Sequence, residues 1–299
     1  MMGAKVDQAV KISVAIIARD EESIIADCLD SVSEADEIVV VDTGSVDGTK
    51  EVVKAYTDKI HDFEWKSDFA SAYNFAKSNC IYPWVLSIDA DQTLTTPFSS
   101  VRSAAREAQG AYLDVKIANP RLYYFAPRLI KNNIFVKWVG SVHRYLNVWD
   151  HWDRSAIEIE EGNSPTHEQN PDRRLNMLHD ALAKTPIPRY FFYMGMEYAM
   201  RGDWNKAMEA FDRFLGMPYW GFYKAEANLM LAKIWRDKKN LISSREYAMR
   251  AWQINPDFRE AADFLAFISH AEEREQWKNR RDQADGSDVL FYRNGNWLS

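Results

Sequence analysis

Apolar residues run unbroken over Ile12–Ala18, rich in Ile and Val, apart from Ser13, and are closed by Arg19-Asp20-Glu21-Glu22. Such a run predicts a strand covered on both faces that enters a helix reaching about Ser33, with Asp20 as its N-cap and the acidic pair in its first turn. A second strand is expected at Glu37–Val41, ending in Asp42-Thr43-Gly44-Ser45, after which Asp47-Gly48-Thr49 leads into a helix through Tyr56. A weaker strand at Lys59–Phe63, a helix from Asp68 to Ser78 and a strand at Trp84–Ile88 continue the alternation. Strand–helix alternation of this kind implies a mostly parallel sheet covered by helices. Beyond Gln92 the pattern changes to a helix near Pro97–Gln109 and strands near Tyr112–Ile117, Leu122–Ile130 and Val139–Val148, which reads as the mixed, partly antiparallel half of the same domain.

From about Pro171 the strand signals stop, and Ala, Leu, Met and aromatic residues recur at spacings of three and four. Met194-Gly195 with Tyr198, then Ala207, Phe211 and Pro218, follow a tetratricopeptide spacing, in which small residues let two antiparallel helices pack closely. The spacing recurs with Leu231-Ala232, Trp235, Ala251 and Pro256, and a third first helix is expected at Leu265-Ala266. The stripe Tyr190, Phe191, Tyr193, Met194 and Tyr198 is the expected packing face of the first hairpin. The chain thus divides into an α/β domain over residues 8–165, a helical-hairpin region over 166–272 and a charged tail over 273–299, where Val289-Leu290-Phe291-Tyr292 either docks back or stays loose.

Composition narrows the classes. A chain of 299 residues, 46% hydrophobic and 27% charged, buries a real core and is not disordered. Its net charge of −7 gives no general attraction for nucleic acid or an anionic membrane, although a local basic patch stays open. Only two cysteines, both inside apolar segments, and a start at Met1 followed by polar and charged residues point to a reducing cytoplasm. The apolar runs fall far short of the roughly 18–20 residues of a spanning helix, so no membrane segment is expected. Arg173-Arg174 and Arg280-Arg281 read as solvated helix charges. Trp138 and His151-Trp152 are aromatic groups that either fill the core or stack on a sugar or base.

In sheets of this type ligands bind outside the carboxyl ends of the strands. Here those ends carry Ala18-Arg19, Asp42-Thr43 and Asp89-Ala90-Asp91. Two carboxylates at i and i+2 on a strand end can present oxygens to Mg²⁺ or Mn²⁺, which in turn neutralises a pyrophosphate. A triplet of this kind also arises by chance in an acidic chain, so its weight comes from the apolar strand before it and from Asp42 at the same edge. Asp42 suits a hydrogen bond from a uracil N–H or a ribose hydroxyl, or else caps the following turn. No G-x-G-x-x-G or P-loop is present.

Ile12–Glu22, Val40–Thr49, Phe63–Ala70, Asn74-Phe75-Ala76, Trp84–Asp91, Pro127-Arg128-Leu129 and Gly140-Ser141-Val142-His143, followed by the repeats, resemble in order the GT-A glycosyltransferases of family 2, in the subgroup with a C-terminal tetratricopeptide-like region. The resemblance implies a Rossmann-like mixed sheet with flanking helices followed by an all-α region. It also implies an inverting transfer of a sugar from a nucleoside diphosphate donor, usually a UDP-sugar, with Mn²⁺ or Mg²⁺ held mainly by Asp91. Carried over by residue, Ile17, Ala18, Arg19 and Glu21 line the nucleotide pocket and Asp42 meets uracil or ribose. Asp68, Phe69 and Asn74 approach the donor, while Asp89 and Ala90 lie at the ribose or metal-bound water. His143 either completes the metal shell, serves the acceptor or is structural. The family commonly has Arg before the Asn of the Asp68–Asn74 segment, where this chain has Tyr73, which leaves Arg19 or Lys66 to supply the missing cation. The subgroup usually follows its His with Glu, where this chain has Arg144, so the general base passes to Asp150 or His143, with Asp153 as a further candidate. The acceptor is open among a peptide side chain, a glycan and a modified DNA base, and the repeats would present it or pair two copies of the chain. The competing class is a repeat-type binding protein with a degenerate donor site, favoured by Tyr73 and Arg144 and opposed by intact Asp42, Asp89 and Asp91.

Overall fold

The computed structural model describes residues 10–120, 122–148, 153–162, 164, 172–284 and 292–293. The chain divides into two compact units, Met1–Pro171 and Asp172–Ser299.

In the first unit, β1 (Ile12–Ala18) and β2 (Glu37–Asp42) are buried along nearly their whole length, as strands covered on both faces must be. They pair in parallel, and β1 pairs on its other side with β4 (Trp84–Asp89). With β3 (Ile60–Asp62) beyond β2, and β5 (Gln92–Leu94), β6 (Tyr112–Ala118), β7 (Leu122–Lys131) and β10 (Asp153–Glu161) on the far side, the order is β3-β2-β1-β4-β7-β6-β10-β5. The strands β1 to β4 are parallel, whereas β7 runs antiparallel to β4 and to β6. This is the mixed sheet the resemblance implied. Its helices are α1 (Ile25–Ser31), α2 (Thr49–Val53), α3 (Phe69–Ser78) and α4 (Phe98–Glu107). One core gathers Ile12, Val14, Ile16, Leu86, Ile88, Ile25 and Leu29 with Val115, Ile117 and Ile159.

Three local expectations are corrected. The first helix does not start at Asp20, which sits in the left-handed region at φ 55 and so cannot cap it. Instead, Asp20 Oδ1 accepts the Val46 N–H at 2.7 Å, and Glu21 O accepts the N–H groups of Ile24 and Ile25 at the true start of α1. The segment Val139–Val148 is not one strand. Two short strands, β8 (Trp138–Val139) and β9 (Tyr145–Leu146), pair as a hairpin because Gly140 at φ 94 and His143 at φ 48 turn the chain between them. The strands β5 and β10, absent from the sequence reading, close the sheet's far edge: Gln92 pairs with Glu161.

The second unit holds seven described helices: α5 (Arg173–Lys184), α6 (Pro188–Met200), α7 (Trp204–Leu215), α8 (Gly221–Asp237), α9 (Leu241–Ile254), α10 (Arg259–Ile268) and α11 (Ala271–Gln283). They form tetratricopeptide-like hairpins. The expected small-residue contact is seen at Gly195, where a Cβ would come within 2.7 Å of the Phe211 ring. Of the aromatic stripe, Tyr190 and Met194 are buried, but the centre of that hairpin's core is Phe192. The segment read as a tail opens with α11, whose single buried residue, Trp277, meets Trp252 at 5.3 Å. Of Val289–Tyr292, residues 289–291 lie outside the described residues. The pair Arg280-Arg281 is not simply solvated: Arg280 lies over the Trp277 ring at 4.4 Å and Arg281 pairs with Asp263 at 3.0 Å. Arg174 likewise reaches the buried Glu197 at 2.8 Å. Among the described residues, no helix is long and apolar enough to cross a membrane. Cys28 and Cys80 are both buried and free.

Candidate functional site

Register places the site. Ala18 pairs with Asp42 and Ile17 pairs with Asp89, so the two carboxylates end the strands on either side of β1. With strands about 4.8 Å apart, their backbones stand roughly 10 Å from each other, a span that suits a nucleoside.

Asp42 is held by its turn. The N–H groups of Gly44 and Ser45 both donate to Asp42 Oδ1 at 2.9 Å, a geometry that uses Gly44 at φ 106, and Lys50 Nζ stands at 3.7 Å. The Asp42 side chain is only 2% exposed, and its Oδ2 is buried without a hydrogen-bond partner. A buried carboxylate oxygen left bare is costly, and a ligand N–H or hydroxyl would satisfy it. Of the alternatives from the sequence, the turn cap is thus formed by Oδ1 alone, which leaves Oδ2 available as an acceptor.

The loop after β1 is laced to the loop after β2. Asp20 N–H donates to Ser45 Oγ at 3.0 Å, Glu21 N–H to Thr49 Oγ1 at 2.8 Å, and Gly48 N–H to Glu22 Oε2 at 2.9 Å. Glu21 is buried and accepts the Ser164 hydroxyl on both oxygens at 2.7 and 2.9 Å. Ala18 is in the core and offers only its carbonyl, which accepts Thr43 N–H at 3.0 Å, while Ile17 is half-buried. Arg19 is exposed and stands 3.7 Å from Asp20. Lys66 is exposed beside Glu64 at 3.2 Å.

At the end of β4, Asp89 accepts from Arg128 Nη2 on Oδ2 at 2.9 Å, and Arg144 Nη2 stands 3.5 Å from Oδ1. Burial works against the charge of Arg128, and the Asp89 carboxylate outweighs it, so its pKa lies above the ordinary value. Burial pushes Arg144 down to about 10, with Arg128 as a like charge beside it; it still keeps its proton at neutral pH. Ala90 packs into the core and can offer only backbone. Asp91 is fixed by Gly162, whose N–H donates to Asp91 O at 2.7 Å and whose missing Cβ would lie 2.3 Å from that oxygen. Burial, then the carboxylates of Asp89 and Glu21, push Asp91 up to about 7, with Glu161 adding to the effect. Glu161 in turn accepts Tyr124 OH and Asn119 Nδ2, each at 2.9 Å.

Among the described residues, no group of three or more His, Cys, Asp or Glu side chains is gathered closely enough to hold a metal ion. His143 therefore does not join Asp89 and Asp91 in a three-ligand set; it belongs to the turn between β8 and β9. The crowding of carboxylates around Asp91 nonetheless fits a divalent cation of the Mg²⁺ or Mn²⁺ kind, which takes one or two carboxylates and completes its shell with substrate phosphate and water.

The remaining candidates lie on α3 and the hairpin. Asp68 caps α3, accepting Ser71 N–H at 3.2 Å. Phe69 N–H donates to Ser141 O at 2.9 Å and its ring meets Trp65 at 4.8 Å. Asn74 exchanges two hydrogen bonds with the Trp138 backbone, at 2.8 and 2.9 Å, and so ties α3 to β8. Trp138 itself is in the core with Tyr73, Ala70 and Leu146. Asp150, with His151-Trp152, lies outside the described residues. Asp153 is exposed at the opposite end of β10 from Glu161, roughly 26 Å along the strand. Sequence reading missed Arg128, Glu161, Gly162 and Ser164 as parts of this site. Arg128 stood in a quoted motif without a role, whereas Glu161 ends, and Gly162 directly follows, a strand that alternation did not predict.

Residues 13–151 match the model of glycosyl transferase family 2. A TPR repeat-containing protein of Synechococcus elongatus is 24% identical over 211 residues, covering 69% of this chain and 48% of the relative. The lipopolysaccharide core biosynthesis glycosyltransferase LpsC of Rhizobium meliloti is 36% identical over 88 residues, 28% of this chain and 32% of its own. Among solved structures, S. aureus TarS 1–349 is similar at 12% identity and a TM-score of 0.44, covering 82% of this chain and 91% of that one. The chain spans about half the length or less of these two sequence relatives. Residues 13–151, in which Asp42 and Asp89 flank β1 at the strand ends, are thus similar to family 2 glycosyl transferases, and helical hairpins follow them in the chain.

Proposed function

We propose that the chain transfers a sugar, with inversion, from a nucleoside diphosphate donor of the UDP-sugar kind to an acceptor hydroxyl or thiol, with a divalent cation at the acidic strand end. The observation that carries the reading is the bare Oδ2 of buried Asp42, across β1 from the end of β4 where Asp89 and Asp91 stand. Asp42 accepts from the uracil or ribose. Asp91, with Asp89, would hold the cation, and a cation there would supply positive charge to offset that of the departing nucleoside diphosphate. Arg128 fixes Asp89, Gly162 fixes Asp91, and the network joining residues 20–22 to 45–49 keeps the nucleotide side rigid before the donor arrives. The helical hairpins are assigned to acceptor choice, since stacked repeats offer extended surfaces for a chain-like partner such as a peptide or glycan.

The test is a thermal-shift panel of nucleotides and nucleotide sugars with and without Mn²⁺, on the native chain and Asp91→Ala. A ligand bound only by the folded state at about 100 times its Kd stabilises by ~2.7 kcal/mol. Metal-dependent stabilisation by UDP or a UDP-sugar, lost in Asp91→Ala, is the expected result; no shift with any nucleotide would refute the donor site.

A further inference from the structure

Arg144 is placed in an unusual way. Its guanidinium lies over the Tyr73 ring with its carbon 3.5 Å from the centroid, and Trp138 presents a second ring at 5.0 Å. The two rings are themselves packed at 5.9 Å, so the cation occupies a prebuilt aromatic slot. The slot is rigid: Tyr73 and Trp138 are buried, and Asn74 clamps the Trp138 backbone from the next position of α3.

Within that slot Arg144 is poorly satisfied. Its hydrogen bond to Asp89 is at the outer limit of such contacts, 3.5 Å, and its Nε is buried without a partner. Asp89 is already engaged by Arg128 at 2.9 Å, and Arg128 also keeps one buried nitrogen, Nη1, without a partner. Two guanidinium groups thus converge on one carboxylate, and each retains a buried N–H aimed at no acceptor among the described residues. A purely structural brace would place Arg144 in a close two-point pair with the carboxylate. The observed arrangement instead leaves a planar, multi-donor group, charged at neutral pH, 3.5 Å from the Asp89 carboxylate at the strand end where the diphosphate would lie.

We propose that Arg144, held by Tyr73 and Trp138, is the residue that grips the donor diphosphate. The inference rests on the donor site proposed above and names its phosphate-binding group. Arg19 and Lys66, the cations that sequence reading offered, face Asp20 and Glu64 instead. Tyr73 and Arg144, read separately as two departures from the family pattern, are one feature: the ring at position 73 seats a cation delivered from the hairpin. They therefore give no ground for reading the site as degenerate.

The test compares uridine with UDP, at fixed Mn²⁺, by calorimetric titration of the native chain, Arg144→Gln, Arg144→Lys and Tyr73→Leu, each checked for folding by circular dichroism. Arg144→Gln is expected to weaken UDP at least about tenfold, the loss of a charge-assisted bond to phosphate, while uridine stays within about twofold. Arg144→Lys keeps the charge without the fork and falls between. Tyr73→Leu weakens UDP in the same selective way. UDP binding unchanged in Arg144→Gln, or uridine and UDP weakened equally, would overturn the inference, the latter showing a structural brace. If Arg144→Gln does not fold, Arg144→Lys and Tyr73→Leu decide by the same ratio. A native chain that binds neither uridine nor UDP refutes the donor site itself, a result distinct from all of these.

Discussion

Replacing Asp91 by Asn should make the metal-free protein more stable, and only above a definite pH. In the fold, burial and the carboxylates of Asp89, Glu21 and Glu161 raise the Asp91 pKa from 3.8 to about 7. The folded state therefore binds the proton more tightly than the unfolded chain. Stability is unaffected by this group below about pH 4, falls as pH rises toward 7, and is lowest above it. A pKa raised by about three pH units corresponds to about 4 kcal/mol, of which local relaxation of the ionised form recovers part, so Asp91→Asn should gain about 2–4 kcal/mol at pH 8. At ~2–4 °C per kcal/mol this is a rise in Tm of about 4–16 °C for the first unit. The assay is thermal melting in EDTA at pH 4 and pH 8, with the native chain alongside. The two proteins should melt together at pH 4 and separate at pH 8. An Asp91→Asn protein that melts no higher than the native chain at pH 8, or whose advantage is the same at both pH values, would refute the account of a carboxylate kept under electrostatic strain. The same charge crowding is what a divalent cation relieves, so Mn²⁺ should narrow the gap by stabilising only the native chain.

Other changes follow from particular contacts. Gly162→Ala places a Cβ 2.3 Å from Asp91 O, so the β10 end must shift; Mn²⁺-dependent nucleotide binding should fall about tenfold or more with the circular dichroism spectrum retained, measured by titration. Asp42→Asn keeps one oxygen for the Gly44 and Ser45 N–H groups but changes the group at the bare position, and should weaken uridine about tenfold with little effect on melting. Gly195→Ala drives a methyl within 2.7 Å of the Phe211 ring and should cost the helical unit about 1–3 kcal/mol in a chemical denaturation curve. Trp277→Ala empties the contact with Trp252 and should cost about 3–5 kcal/mol, with protection from proteolysis lost in α11.

Much of the first unit was legible because its buried strands are written as continuous Ile and Val runs: β1, β2 and β4 fall within a residue of their expected bounds. Their ends are where Asp42, Asp89 and Asp91 stand, so the acidic edge was visible from sequence. What failed was local. Asp20 looked like a cap by residue type, but its left-handed backbone and its bond to Val46 come from the partner loop, which no short window contains. The strand β10 alternates charged and apolar residues in Asp153–Glu161 and is anchored by pairing with β5 and β6, both distant in sequence. Without it, Glu161 and Gly162 could not be joined to Asp91. In the helical unit, α11 was hidden by its charge, since only Trp277 is buried and the rest of its surface is solvated. The pairing of Tyr73 with Arg144 spans two elements and shows only when the hairpin β8–β9 is seen over α3.

The central claim is that a nucleoside diphosphate lies across β1 between Asp42 and the Asp89–Asp91 end. The most direct test is a crystal structure with UDP and Mn²⁺, with diffraction recorded at the manganese edge. The account predicts one anomalous peak at the Asp91 carboxylate, bridged to the diphosphate, with uracil or ribose on Asp42 Oδ2. Ordered UDP bound elsewhere, or a manganese peak away from Asp91, would contradict it.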